Sequence, residues 1–93
     1  MATLLSDRDI QAHLNQLPGW SLQGKTIICT RTFQDFVAAI NFVNQLVEPA
    51  EAAGHHPDLQ ISYNRVVISL STHDAGGLTE KDFALAKTIS TLG

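Results

Sequence analysis

The chain has 93 residues, a formal net charge of -3, 44% hydrophobic residues and 16% charged residues. That length holds one domain, spanning 1–93, and that composition belongs to ordered globular chains rather than disordered ones. An acidic balance without a lysine or arginine run excludes nucleic-acid binding through a basic face.

Ser6 can cap a first helix, with Asp9 three residues on. Ile10, Leu14 and Leu17 recur at helical spacing, and Pro18-Gly19 ends the run. His13 lies between Ile10 and Leu14 on this amphipathic helix, where no catalytic role is expected. Asp7 and Asp9 come early and no long apolar segment precedes them. No signal peptide or membrane-spanning helix is therefore expected, and the cytoplasm is the default compartment. Trp20-Ser21-Leu22 and Thr26 to Thr32 read as two short strands joined by Gln23-Gly24-Lys25. The second is rich in β-branched residues, which suit a pleated surface. It contains Cys29, the lone cysteine, which reads as a buried structural thiol.

Phe33 to Ala53 is the longest periodic stretch. Phe33, Phe36, Val37, Ile40, Val43 and Val47 form one broad apolar face, with Phe42 and Leu46 off it. Pro49 removes a backbone donor and should kink or end the first part of this helix. Gly54 is a natural stop for the remainder. Leu59, Ile61 and Tyr63 then alternate with polar residues as a half-buried strand should, and Asn64-Arg65 turns the chain. Val66 to Thr72 is the next strand, with Val66, Ile68, Leu70 and Thr72 on one face and His73 at its end. Asp74 to Gly77 reads as a loop, and a histidine beside such a glycine loop sits at the rim of a sheet, where ligands have room. Thr79 caps a last helix, with Asp82 three residues on and Phe83, Ala86 and Ile89 as its apolar stripe. The order is α-β-β-α-β-β-α, which suggests an antiparallel sheet with helices on one face.

Three of the chain's four histidines, His55, His56 and His73, fall beside turn residues at the ends of β-like runs. Histidine titrates nearest neutrality, so such a cluster suggests proton transfer or metal binding. Pro57 pushes His56 toward an extended backbone, which points His55 and His56 in different directions. Together they suit two walls of a pocket better than one metal ion. Glu51, Asp58 or Asp74 could complete a ligand set, but no H-x-x-x-H or C-x-x-C spacing is present, and no metal is expected. The bland alternative is that the histidines cap helices or bond to backbone carbonyls.

Taken together, Glu51-Ala-Ala-Gly-His55-His56-Pro57-Asp58, Tyr63-Asn64-Arg65-Val66, Ser71-Thr72-His73-Asp74, Gly77-Leu78-Thr79, Asp82 and Leu85-Ala86 resemble the pterin-4a-carbinolamine dehydratase family. A weaker match reaches back through Phe33-Phe36 and Trp20. The resemblance implies an α+β fold: a four-stranded antiparallel sheet with three helices packed on one face. It implies homodimers, commonly paired into homotetramers, and removal of water from 4a-hydroxytetrahydropterin to give quinonoid dihydropterin. No cofactor, metal or organic, is implied, and no membrane.

By the same resemblance the catalytic histidines are His55, His56 and His73. Glu51 matches the family's acidic helper, and Asp82 its later aspartate. We assign His55 and His73 as the main acid–base pair and His56 to orienting the pterin. Glu51 could fix a histidine tautomer, hold the pterin amino group, or be an exposed helix residue. Asp82 could serve the site or simply complete the Thr79 cap. Trp20 could stack near the ligand or belong to the core or an interface. One departure stands out: Leu59 occupies a position where many relatives carry tryptophan, which removes an aromatic wall. Asp58 in place of the commoner glutamate is milder. Relatives of this kind also act as dimerisation or assembly partners of other proteins, which leaves a non-catalytic role as the alternative.

Overall fold

A computed structural model describes residues 3–92. Helix α1 spans Asp7–Leu14, and Ser6 caps it by accepting the Asp9 backbone N–H. Strands β1 (Trp20–Gln23) and β2 (Thr26–Thr32) form the first hairpin. The helical stretch that follows divides into α2 (Phe36–Gln45) and α3 (Val47–Ala53). Strands β3 (Asp58–Ser62) and β4 (Arg65–Leu70) form the second hairpin. A 3₁₀ turn, His73–Ala75, leads to α4 (Glu80–Ser90). The strands line up as β1-β2-β4-β3, antiparallel throughout. The α+β architecture and the element order match the sequence reading, with α2 and α3 as two pieces of one predicted helix.

The core lies on one face of the sheet. Ile27 and Cys29 of β2 and Val66, Ile68 and Leu70 of β4 point inward, where Phe42, Phe83, Ala86 and Ile89 cover them. Thr72 stays on this inward side because it bridges Gly77. The opposite face carries Thr26, Ile28, Gln60, Val67 and Ser69 around a shallow depression that, among the described residues, only strand residues line. Burial pushes the Cys29 thiol above its ordinary value, against a smaller opposing pull from the Arg31 charge. A thiol held protonated is a poor nucleophile, so Cys29 acts as a small core residue.

Some local details differ from the expectation or refine it. The long helix begins at Phe36, not Phe33: the Asp35 side chain accepts the Ala38 N–H as its cap, while Phe33 pairs with Asn64 through backbone and side-chain amides. It breaks at Leu46, three residues ahead of Pro49. A proline ring collides with the carbonyl four residues earlier, here that of Gln45, where α2 stops, and is tolerated in a helix's first turn.

The sequence left open which face of α2 meets the sheet, since it allowed cover on more than one side. Ala39, Phe42 and Leu46 are its buried residues, whereas Phe36, Val37 and Val47 are 51%, 65% and 57% exposed. Both faces are apolar, so periodicity alone does not say which meets the sheet. Finally, β3 is an edge strand with Ile61 and Tyr63 exposed and Leu59 half-buried. Its turn is Tyr63-Asn64, and the left-handed residue is Tyr63, at φ 52°, rather than Asn64.

Candidate active site

His55 and His56 follow the end of α3, and His73 follows the end of β4. Gly54 adopts the left-handed conformation that closes α3, and the His55 N–H bonds back to the Ala50 carbonyl at 3.1 Å. This helix stop fixes the backbone of His55 before its side chain makes any contact. His55 Nε2 lies 2.6 Å from Asp82 Oδ1, with the His55 side chain 10% exposed and that of Asp82 fully buried.

Asp82 is held from the other side as well. Its Oδ2 accepts the Thr79 backbone N–H at 2.9 Å and the Thr72 hydroxyl at 2.8 Å. Thr72 and Thr79 share a further hydrogen bond of 2.8 Å between their hydroxyls. Thr79 and Asp82 together form the capping box of α4. Among the described residues, every buried side-chain polar atom has a partner. The two readings of Asp82, cap and site residue, therefore hold at once: one oxygen closes the helix and the other meets His55.

A carboxylate can only accept, so Nε2 of His55 carries the proton in this pair and Nδ1 keeps the lone pair of the neutral ring. Charge-assisted hydrogen bonds of this kind are short and strong, and a buried one holds a ring in place. Thr72 is the residue that sequence reasoning overlooked. Its signal was a hydroxyl continuing the buried face of Val66, Ile68 and Leu70, since a buried hydroxyl requires a partner.

His56 forms a second pair, with Nε2 hydrogen-bonded to Glu51 Oε2 across one turn at the end of α3. Here both side chains are open, at 62% and 68% exposure, and water-exposed pairs hold weakly. His73 is exposed and opens the 3₁₀ turn directly after Thr72, so the chain ties it to the buried network through its backbone. Gly76, at φ 77°, closes that turn. Gly77 does not give the open space expected of it: it is buried, bridges Thr72, and a Cβ there would meet the Leu4 side chain at 3.0 Å.

Trp20 stands outside this network. It is 7% exposed, and its indole N–H donates to the Ser90 hydroxyl at 3.0 Å. His13 stacks on Phe83 with ring centroids 4.7 Å apart and meets Glu80 at 3.0 Å, joining α1 to α4. Among the described residues, no group of three or more metal-ligating side chains converges.

Beside the Glu51–His56 pair lies a cleft of about 220 Å³. Val43, Val47 and Ala50 of α2–α3 form one wall, with Pro57 and Leu59 on the other. Glu51 and His56 supply its charged and polar lining.

The one-sided α+β domain thus carries the histidine–carboxylate pairs His55–Asp82, His56–Glu51 and His13–Glu80, with His73 exposed just past the end of β4. The family described as pterin 4 alpha carbinolamine dehydratase matches residues 3–92, and the chain belongs to it. A Cyanothece sp. protein, provisionally named pterin-4-alpha-carbinolamine dehydratase, is 65% identical over 99% of this chain and 95% of its own length. A similarly named Nostoc sp. protein is 61% identical over 99% of both chains. The crystal structure of a transcriptional coactivator/pterin dehydratase from Brucella melitensis superposes with a TM-score of 0.89 at 34% identity, covering 94% of this chain and 95% of that one. A pterin dehydratase-like RuBisCO assembly factor of the alpha-carboxysome shares the fold, with a TM-score of 0.66 at 24% identity over 78% of this chain and 87% of that one.

Proposed function

We propose that the chain, as one domain over 1–93, dehydrates 4a-hydroxytetrahydropterin by histidine acid–base catalysis in the cytoplasm. The observation that carries this is the His55–Asp82 pair, a ring with one nitrogen tied to a buried carboxylate and the other left as a base. The substrate bears a hydroxyl on a carbon next to a ring N–H. His55 takes the proton from that nitrogen, and Asp82 stabilises the imidazolium that results. His73 gives a proton to the hydroxyl. The carbon–oxygen bond breaks, water leaves, and a carbon–nitrogen double bond forms. His56, with Glu51, orients the pterin ring. Trp20 acts at a distance from these groups by securing β1 to α4 through Ser90.

The direct test is dehydration of a synthetic carbinolamine, followed against the appreciable uncatalysed rate. Activity is expected to survive exhaustive chelation, because no step needs an ion. Loss that only added zinc restores would show a metal-dependent enzyme instead.

The exposed apolar face of α2 favours self-association as well. Exposed Phe36 and Val37 begin a stripe that half-buried Ile40 and Val43 continue, at i, i+4, i+7 from Phe36. A stripe spaced this way suits the helix of a second copy, giving a homodimer or homotetramer. Sedimentation at micromolar concentration should show a dimer or larger, and Val37→Asp should shift it toward monomer. A wild-type chain sedimenting as a clean monomer would exclude this assembly. The same stripe supports the second reading, a non-catalytic assembly factor for another protein. The dehydration assay separates the two.

A further inference from the structure

We infer that the apolar cleft beside Glu51 and His56 receives a short aliphatic substituent of the pterin, and that Leu59 sets the preferred length. The inference rests on the dehydratase reading. The cleft holds about 220 Å³, below the ~300–1,000 Å³ of sites that enclose a whole drug-sized ligand. It therefore suits part of a ligand, with the remainder lying outside it. Its walls, Val43, Val47, Ala50, Pro57 and Leu59, carry no side-chain polar group, while Glu51 and His56 do. The matching occupant is amphipathic, with a polar heteroaromatic ring against the pair and an aliphatic tail in the cleft.

The reaction centre sets which substituent this is. The ring nitrogen that loses its proton is flanked by the carbon bearing the pterin's side chain, so that side chain leaves the ring next to the base. His55 and His56 are consecutive, and His55 faces Asp82 while His56 lines the cleft. The same short stretch of backbone thus delivers the base to Asp82 and a lining side chain to the cleft. Leu59 is half-buried on the edge strand, paired with Ile68 of β4, so its position in the wall is fixed by the sheet. Val47, on the opposite wall, is 57% exposed, which leaves the entrance open to solvent in the single chain.

The test compares two synthetic carbinolamines that differ only in the side chain, methyl against n-propyl. Methylene groups in an apolar pocket discriminate by about 10–200-fold each, so wild type should favour propyl in kcat/KM by roughly tenfold or more. Leu59→Trp fills the cleft and should cut the propyl-over-methyl ratio by roughly tenfold. Leu59→Ala enlarges it and should move the optimum to a longer chain, such as n-pentyl. This second variant decides the matter if tryptophan prevents folding. A flat ratio in wild type and variants, with turnover intact, overturns the inference and leaves the dehydratase reading standing. Turnover of neither substrate overturns both. If Leu59→Trp disrupts self-association with the ratio unmoved, the cleft is an interface between copies and the inference falls.

Discussion

Replacing His55 or His73 with alanine is expected to lower kcat by ~10²-fold or more in each case, the usual scale for losing a general acid or base. The double variant should lose less than the product of the singles, because both groups act on one transition state. His56→Ala should raise KM at least as clearly as it lowers kcat, since an exposed, weakly held pair is suited to orienting rather than proton transfer. His13→Ala is the control. Its ring bridges α1 to α4 through Phe83 and Glu80, and its turnover should stay close to wild type. Each rate is read after subtraction of the uncatalysed dehydration. Fully active, folded His55 and His73 variants would show that the protons move by another route.

Asp82 should give the next largest effect, split between two measurements. Asp82→Ala removes the acceptor for His55, for the Thr72 hydroxyl and for the Thr79 N–H in one step. Breaking a buried pair of this kind costs about 3–5 kcal/mol, which urea denaturation would show as a lower midpoint. Asp82→Asn keeps an oxygen for the cap but carries no charge to stabilise a protonated His55. It should fold with a smaller stability loss while kcat falls by ~10²-fold. A folded Asp82→Asn protein with wild-type kcat would reduce Asp82 to a helix cap alone.

The order of elements was legible because turn chemistry and periodicity agreed at each junction. Ser6, Thr79 and Gly54 act at helix ends as their residue types suggest. The buried face of β4 followed from strict alternation, confirmed by Val66, Ile68, Leu70 and Thr72. The orientation of α2 was not legible. Phe42 and Leu46 compete with Phe36 and Val37, and only the sheet decides which pair it covers. The tilt of the hairpin turn was hidden for a similar reason. Asparagine has the better intrinsic tolerance for a left-handed backbone, yet the strand register places Tyr63 there.

At the site, the histidines were legible as residue types beside turns. Their pairing was not. The contact between His55 and Asp82 joins residues 27 apart in the chain, and the support from Thr72 depends on a bridge to Gly77 that no local pattern announces.

The break at Leu46 divides one predicted helix into two pieces that can point in different directions. The α2 piece displays Phe36 and Val37 outward, while the α3 piece carries Glu51 and delivers His55 through the Gly54 stop. In an unbroken rod, a substitution that rotated the outer stripe would rotate Glu51 with it. A joint at Leu46 uncouples the direction of the outward stripe from that of Glu51 and His55. The surface turned to solvent and the end that carries the histidines are therefore set by different helices of one small domain.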